Sequence, residues 1–345
     1  MIALIIISYI VLACALVYLS ILLSNYVDML DKTTKLSGAL LGGVLLAAVT
    51  SLPELFTTIT AVVGVGEYGY VIGNIMGSNV FDIAILVLLF VIFIKNTTKE
   101  RIAKSNLFQL FFLICMTGVI AFSIFMPESI KKYFYLGGWF NWLTILIVGF
   151  YVASLFIIDK TEEKSEIDEV IKLTKKQILI RFSIASVLLI ATSIGVTFLS
   201  DMIVEEFKID PTAAGATLLG IMTSLPEIIS TFNLFYKKNV NAGTGNMIGS
   251  AVFNMMIIAI AEVISFNGSI YVPSGEVNKL VILGSICFVS CLIALVFKFL
   301  YSSKSKDNKS LKIVFTSGIV LFSLISFASY ILYFTLDKSL FVFGL

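Results

Sequence analysis

Thr50-Ser51-Leu52-Pro53-Glu54 recurs in this chain as Thr223-Ser224-Leu225-Pro226-Glu227. Each copy lies inside a long apolar run. Each is followed by a second phrase, Gly73-Asn74-Ile75-Met76-Gly77-Ser78 after the first and Gly245-Asn246-Met247-Ile248-Gly249-Ser250 after the second. Four residues past each serine stands a polar residue, Asp82 in one copy and Asn254 in the other. The copies are 173 residues apart in a chain of 345, so the sequence reads as one unit used twice.

The solvent is set by composition. Hydrophobic residues make up 59% of the chain, charged residues 13%, and the mean hydropathy is +1.03. A soluble domain cannot hide that much apolar surface, so the expected surroundings are a lipid bilayer. The first 24 residues lack a basic leader and a small-residue cleavage site, and read as a retained span. A net charge of +2 spread over loops gives no reason to expect a nucleic-acid partner. The four cysteines, Cys14, Cys115, Cys287 and Cys291, fall in apolar runs and read as small buried hydrophobes. There is no histidine, which removes the usual proton relay and the usual transition-metal ligand.

At about 20 residues per crossing, the apolar runs give ten predicted helices, near 2–24, 36–63, 70–94, 106–126, 136–158, 178–200, 209–236, 243–265, 279–299 and 312–335. The fold class is an all-α membrane protein. Residues 1–158 form one five-helix half and residues 178–345 the other. The charged segment 159–177 between them reads as a solvated cytoplasmic linker. Alternate loops hold 19 of the 24 Lys and Arg residues. That bias places those loops in the cytoplasm and both termini outside. Five crossings per half is an odd number, so the second half enters the membrane inverted, as in many secondary transporters.

Only Glu54, Asp82 and Glu227 are acids deep within predicted spans. Glu262 and Asp201 fall near span ends and read as interfacial. An ionised group at the bilayer centre costs about 3 kcal/mol even on lenient scales, so it needs a partner or a wet cavity. Ala47, Thr50, Ser51 and Glu54 fall on one helical stripe, and Gly220, Thr223, Ser224 and Glu227 repeat it. Asn74, Ser78 and Asp82 form a third stripe, and Asn246, Ser250 and Asn254 a fourth. Lipid satisfies none of them, so the four should face one another. Pro53 and Pro226 each remove a helical hydrogen bond and are expected to free carbonyls near residues 47–50 and 220–223. Carboxylates, hydroxyls, amides and carbonyls together are hard oxygen donors, suited to Ca²⁺ and Na⁺. A structural reading competes at several positions. A lone proline is usually a kink, Gly-x-x-x-Gly usually marks close helix packing, and Asn74 and Asn246 fit amide bonding between helices as well as ligation.

These residues resemble the two α-repeats of the Na⁺/Ca²⁺ exchanger family, prokaryotic type, within the cation/Ca²⁺ antiporter superfamily. The related Ca²⁺/H⁺ exchangers carry an acid in a Gly-Asn-x-x-Glu phrase, which is absent here. The resemblance implies the Na⁺/Ca²⁺ exchanger fold of two inverted five-helix repeats. It implies central metal sites at Glu54, Asp82, Glu227 and Asn254. It implies one flanking Na⁺ site at the Gly220 carbonyl, Thr223, Glu227 and Ser250, and another at the Ala47 carbonyl, Thr50, Glu54 and Ser78. Ser51 and Ser224 would support them, and spans one and six would slide as a gate. Two departures stand out. The family pattern has Asn in the first copy and Asp in the second, the reverse of Asp82 and Asn254. Gly220 stands where alanine is usual.

The expected function is therefore exchange of Na⁺ for Ca²⁺ by alternating access in the cell membrane, with a monomer as the unit and no organic cofactor. Ca²⁺/H⁺ antiport is the alternative. A channel would need no duplicated occluding site. An intramembrane enzyme would need a nucleophile–base set or a nucleotide loop, and the sequence has neither.

Overall fold

The computed structural model describes residues 2–34, 36–65, 68–97, 102–137, 140–158, 173–206, 220–266, 268–271 and 275–304. Helix α1 (Ile2–Thr33) is followed by a segmented span. Its pieces are α2 (Gly38–Leu40), a π-helical turn Leu41–Leu46, α3 (Ala47–Thr50), α4 (Leu52–Ile59) and a second π-helical turn Thr60–Val65. Then come α5 (Tyr68–Ile92), α6 (Ile94–Thr97), α7 (Lys104–Phe125), α8 (Glu128–Lys131) and α9 (Thr144–Ile157). The second half contributes α10 (Lys175–Glu206), α11 (Gly220–Tyr236), α12 (Val240–Ile264) and α13 (Gly275–Lys304). Among the described residues, six helices are long and apolar enough to cross a membrane.

Helices occupy the described parts of the first nine predicted spans. The tenth, 312–335, lies outside the described residues, as do 209–219 of the seventh and most of the linker. Two spans differ from expectation. Helix α1 runs nine residues further, to Thr33, because its last turn remains bonded: Thr33 and Thr34 hydroxyls donate to the Met29 and Leu30 carbonyls, each at 2.7 Å. The fifth span is shorter than predicted. Residues 135–136 pair antiparallel with 140–141 in a small hairpin, Tyr135 opposite Asn141. Gly137 there sits at φ 64°, a left-handed conformation that costs glycine little.

Polarity runs inside out. Phe156 is 77% exposed, while Glu54, Asp82 and Glu227 are each 1% exposed. Cys287 and Cys291 are buried as expected, but Cys14 is exposed on the outer side of α1, because α1 packs by its opposite face. Two cores form. Leu19, Leu23, Val27 and Leu30 of α1 pack on Ile178, Phe182, Ala185 and Leu189 of α10. The larger core joins α5, α7, α9, α12 and α13 through residues such as Ile75, Ile83, Met116, Ile147, Met255 and Phe288.

One contact positions everything at the centre. The π-helical turn Leu41–Leu46 lies backbone to backbone against α12. A Cβ added to Gly42 would fall 2.0 Å from the Ala242 carbonyl oxygen, and one on Gly249 2.2 Å from that of Gly43. Only glycine permits that approach. It carries Thr50, two turns on, to Ser250.

Candidate cation site

The chain breaks at Ser51, whose φ −91° and ψ 5° lie outside the helical region. Sparsely populated conformations of this kind recur at functional sites. Pro53 then sits in the first turn of α4, where its missing N–H costs nothing. Glu54 follows it, 1% exposed. The second copy has no such break: Pro226 lies inside α11, which Gly220 opens, and Thr223, Ser224 and Glu227 are all buried.

All four polar stripes meet. The Thr50 and Ser250 hydroxyls are 3.4 Å apart, and those of Ser78 and Ser224 2.6 Å. Ser51 Oγ donates to Glu227 Oε1 at 3.0 Å. Each pair joins one copy to the other. Asp82 stands close enough to Glu54 to repel it, and both repel Glu227. Thr223 lies beside Glu54, and Ser224 beside Asp82. Even so, both carboxylate oxygens of Glu54, both of Asp82 and Oε2 of Glu227 are buried without a hydrogen-bond partner. The Asn254 Oδ1 is likewise buried and unpartnered.

Buried carboxylates without donors or counter-charges are strongly disfavoured. Such oxygens are hard donors of the kind that suit a cation. Among the described residues no three acidic or thiol side chains stand close enough to hold a metal by themselves. A cation here therefore also needs the hydroxyl and amide oxygens that surround the acids.

Several expectations change. The Ala47 carbonyl is not bare, because the helix stays bonded up to Ser51: it accepts from Ser51 N at 3.1 Å and Thr50 Oγ1 at 3.3 Å. Glu262, near the end of α12, is wholly buried within the protein, accepting from the backbone N–H groups of Asn141 at 2.8 Å and Ile270 at 2.9 Å. It pins two loops together beyond the end of α12. Asn246 does bond between helices, donating to the Glu227 carbonyl at 3.2 Å and Thr231 Oγ1 at 2.9 Å. Its equivalent Asn74 is only partly buried. The glycine packing holds for Gly245 and Gly249; no described atom comes within 4 Å of a Cβ on Gly73 or Gly77. The segment equivalent to their partner, near 212–216, lies outside the described residues.

Sequence reading passed over Asn79, Thr58 and Thr231, all buried polar residues. Thr58 and Thr231 were within reach: each lies four residues past its glutamate and extends the same stripe. Asn79 was not, because it stands one step off the Ser78–Asp82 stripe.

Long apolar helices enclosing a buried cluster of carboxylates and hydroxyls fit the class of membrane cation transporters. The chain belongs to the sodium/calcium exchanger protein family, whose model matches residues 4–158 and again 178–336. It is 22% identical over 331 residues to the inner membrane protein YrbG of Escherichia coli (strain K12), covering 90% of this chain and 95% of that protein. Its fold matches the H⁺/Ca²⁺ exchanger CAX with a TM-score of 0.62 at 16% identity, covering 97% of this chain and 91% of that one. It matches the sodium-calcium exchanger NCX_Mj with a TM-score of 0.60 at 19% identity, covering 93% and 98%. The protein is thus an integral membrane cation antiporter of the exchanger fold. Its family is a transporter family and not an enzyme family.

Proposed function

We propose that this chain exchanges Na⁺ for Ca²⁺ across the cell membrane by alternating access, with Glu54, Asp82 and Glu227 holding the cargo. The observation that supports this reading is the burial of unpartnered carboxylate oxygens from both copies of the phrase. Ten spans in two five-helix repeats, 1–158 and 178–345, with both termini outside, complete the proposed architecture. A single chain supplies both copies, so a monomer is sufficient.

Charge explains the coupling. Three ionised carboxylates carry −3. Three Na⁺ neutralise them, and one Ca²⁺ leaves −1. A half-loaded or empty site would keep uncompensated charge in a low-dielectric interior, which disfavours its passage. Exchange of one load for the other is then favoured over leak. Ser51 orients Glu227 by its hydrogen bond. The hydroxyls of Thr50, Ser78, Thr223, Ser224 and Ser250 supply neutral oxygens that suit Na⁺. In this reading spans one and six are the moving gate: α1 and α10 pack on each other, and the same cluster also touches Leu41, Leu46, Leu234 and Ala242, the surface over which they would slide.

The test is Ca²⁺ uptake by purified protein in liposomes. An outward Na⁺ gradient should drive uptake, and Glu54→Gln should abolish it. Carboxylates also bind protons, so Ca²⁺/H⁺ exchange is the second reading. Uptake driven by a pH gradient in Na⁺-free medium, and not by Na⁺, would select it. Uptake under neither gradient would overturn both.

A further inference from the structure

Asn79 is fully buried on α5, one residue after Ser78. A step of one residue turns the side chain about 100° around the helix axis from Ser78, and it meets α12. It grips that helix at two points. Its Nδ2 donates to the Ala251 carbonyl at 3.1 Å, and its Oδ1 accepts from Asn254 Nδ2 at 2.9 Å. These two bonds decide which way the Asn254 amide points. The Ala251 carbonyl can only accept, so the NH₂ end of Asn79 must face it. The oxygen of Asn79 therefore faces Asn254, and Asn254 must answer with its own NH₂. The Asn254 oxygen is left over, and it is the buried Oδ1 that has no partner.

An amide binds a cation only through its oxygen. A carboxylate has no wrong end. This accounts for an asymmetry between the copies. The amide in the pair, Asn254, has a residue that fixes its sense. Asp82 needs none, and the position equivalent to Asn79 is Ala251, which cannot form such a bridge.

We propose that Asn79 is a positioning residue that turns Asn254 into an oxygen ligand for the transported cation. The proposal rests on the cation-site reading above. It assigns Asn79 a role through Asn254 and not through contact with the ion.

The experiment measures half-saturating Ca²⁺ for uptake into liposomes by the full-length protein. Asn79→Ala should raise it about tenfold, with the maximal rate changing less than about twofold, because a freed amide presents its oxygen only part of the time. Asn79→Asp keeps an acceptor oxygen facing Asn254, and should stay within about threefold of the unaltered protein. A merely structural role would rank them the other way, since Asp sets an acidic group against the Ala251 carbonyl. Asn254→Ala should also raise the value about tenfold, and the double variant Asn79→Ala/Asn254→Ala should match it and not reach a hundredfold. Multiplying effects, a neutral Asn79→Ala, or Asp worse than Ala would each overturn the proposal. Glu54→Gln separates the two levels. If it transports normally the cation-site reading falls; if it is inactive while Asn79→Ala is neutral, only the role of Asn79 falls.

Discussion

The two copies of Thr-Ser-Leu-Pro-Glu share a sequence but not a structure. In the first, the helix breaks at Ser51 and is flanked by π-helical turns at Leu41–Leu46 and Thr60–Val65. In the second, proline and glutamate lie within one helix, Gly220–Tyr236. Glu54 has no hydrogen-bond partner, whereas Glu227 is held by Ser51. Thr58 has none, whereas Thr231 receives Asn246. Identical side chains have thus been placed in a looser and a tighter setting. A symmetric sequence cannot be symmetric in space if one side of the membrane is to be open while the other is closed. In the looser copy the glutamate and the threonine four residues on have no hydrogen-bond partner, and in the tighter copy protein groups hold both.

The largest effect should come from the carboxylates themselves. Glu54→Gln and Glu227→Gln should each lower Na⁺-driven Ca²⁺ uptake a hundredfold or more, the equivalent of about 3 kcal/mol. Their stabilities should diverge. Glu54→Gln removes a buried charge with no partner, so its unfolding temperature in detergent should rise. Glu227→Gln also weakens the bond from Ser51, so its gain should be smaller. Equal shifts would mean that the two glutamates sit in equivalent settings after all.

Packing gives the next contrast. Gly249→Ala places a methyl 2.2 Å from the Gly43 carbonyl oxygen. Overpacking of that kind costs about 1–3 kcal/mol, and thermal unfolding of the purified variant should show it. Gly77→Ala meets no described atom and should gain a little from helix propensity, about 0.5–1 kcal/mol. A matching loss for Gly77→Ala would show that the first follow-on helix is as tightly packed as the second, against the segment near 212–216.

The serines sharpen the comparison. Ser51 bonds to a carboxylate and Ser224 to another hydroxyl. Hydrogen bonds to charged groups contribute about 1.5–3 kcal/mol and neutral ones about 0.5–1.5. Ser51→Ala should therefore raise half-saturating Ca²⁺ more than Ser224→Ala, by about three- to tenfold. The reverse order would mean that Ser224, not Ser51, is the more important support.

Much of this was legible in the chain. Two copied phrases fixed the pairing of stripes, and helical spacing alone predicted that Thr50, Ser51, Ser78, Ser224, Glu227 and Ser250 would meet. Periodicity also explains what was missed. It reports one face at a time, so Asn79, on an adjoining face, carried no signal although it bridges to Asn254. The burial of Glu262 carried no signal either, because position along a helix says nothing about which loops fold over its end. The Ala47 carbonyl looked bare because a proline marks roughly where a bond is lost, whereas the helix stays bonded up to Ser51, two residues before it. The difference between the copies was invisible for a deeper reason. It belongs to the conformation of the Thr-Ser-Leu-Pro-Glu phrase, whose five residues are the same in both.

The smallest predicted effect tests that last point most directly. Thr231 and Thr58 occupy equivalent places, four residues past Glu227 and Glu54. Thr231 accepts from Asn246 Nδ2 at 2.9 Å, while Thr58 Oγ1 is buried with no partner. Thr231→Val keeps the shape and leaves Asn246 with one acceptor fewer, which should cost about 1 kcal/mol. Thr58→Val removes an unsatisfied hydroxyl and should be neutral or slightly stabilising. Both shifts are read by thermal unfolding in detergent without Na⁺ or Ca²⁺. If transport exchanges the settings of the two copies, conditions that favour the opposite-facing state should exchange these costs as well. Repeating the pair of measurements at saturating Ca²⁺ and at saturating Na⁺ would show the difference between them shrink or change sign. A difference that stays fixed under every load would mean that the asymmetry is built into the fold and takes no part in the transport cycle.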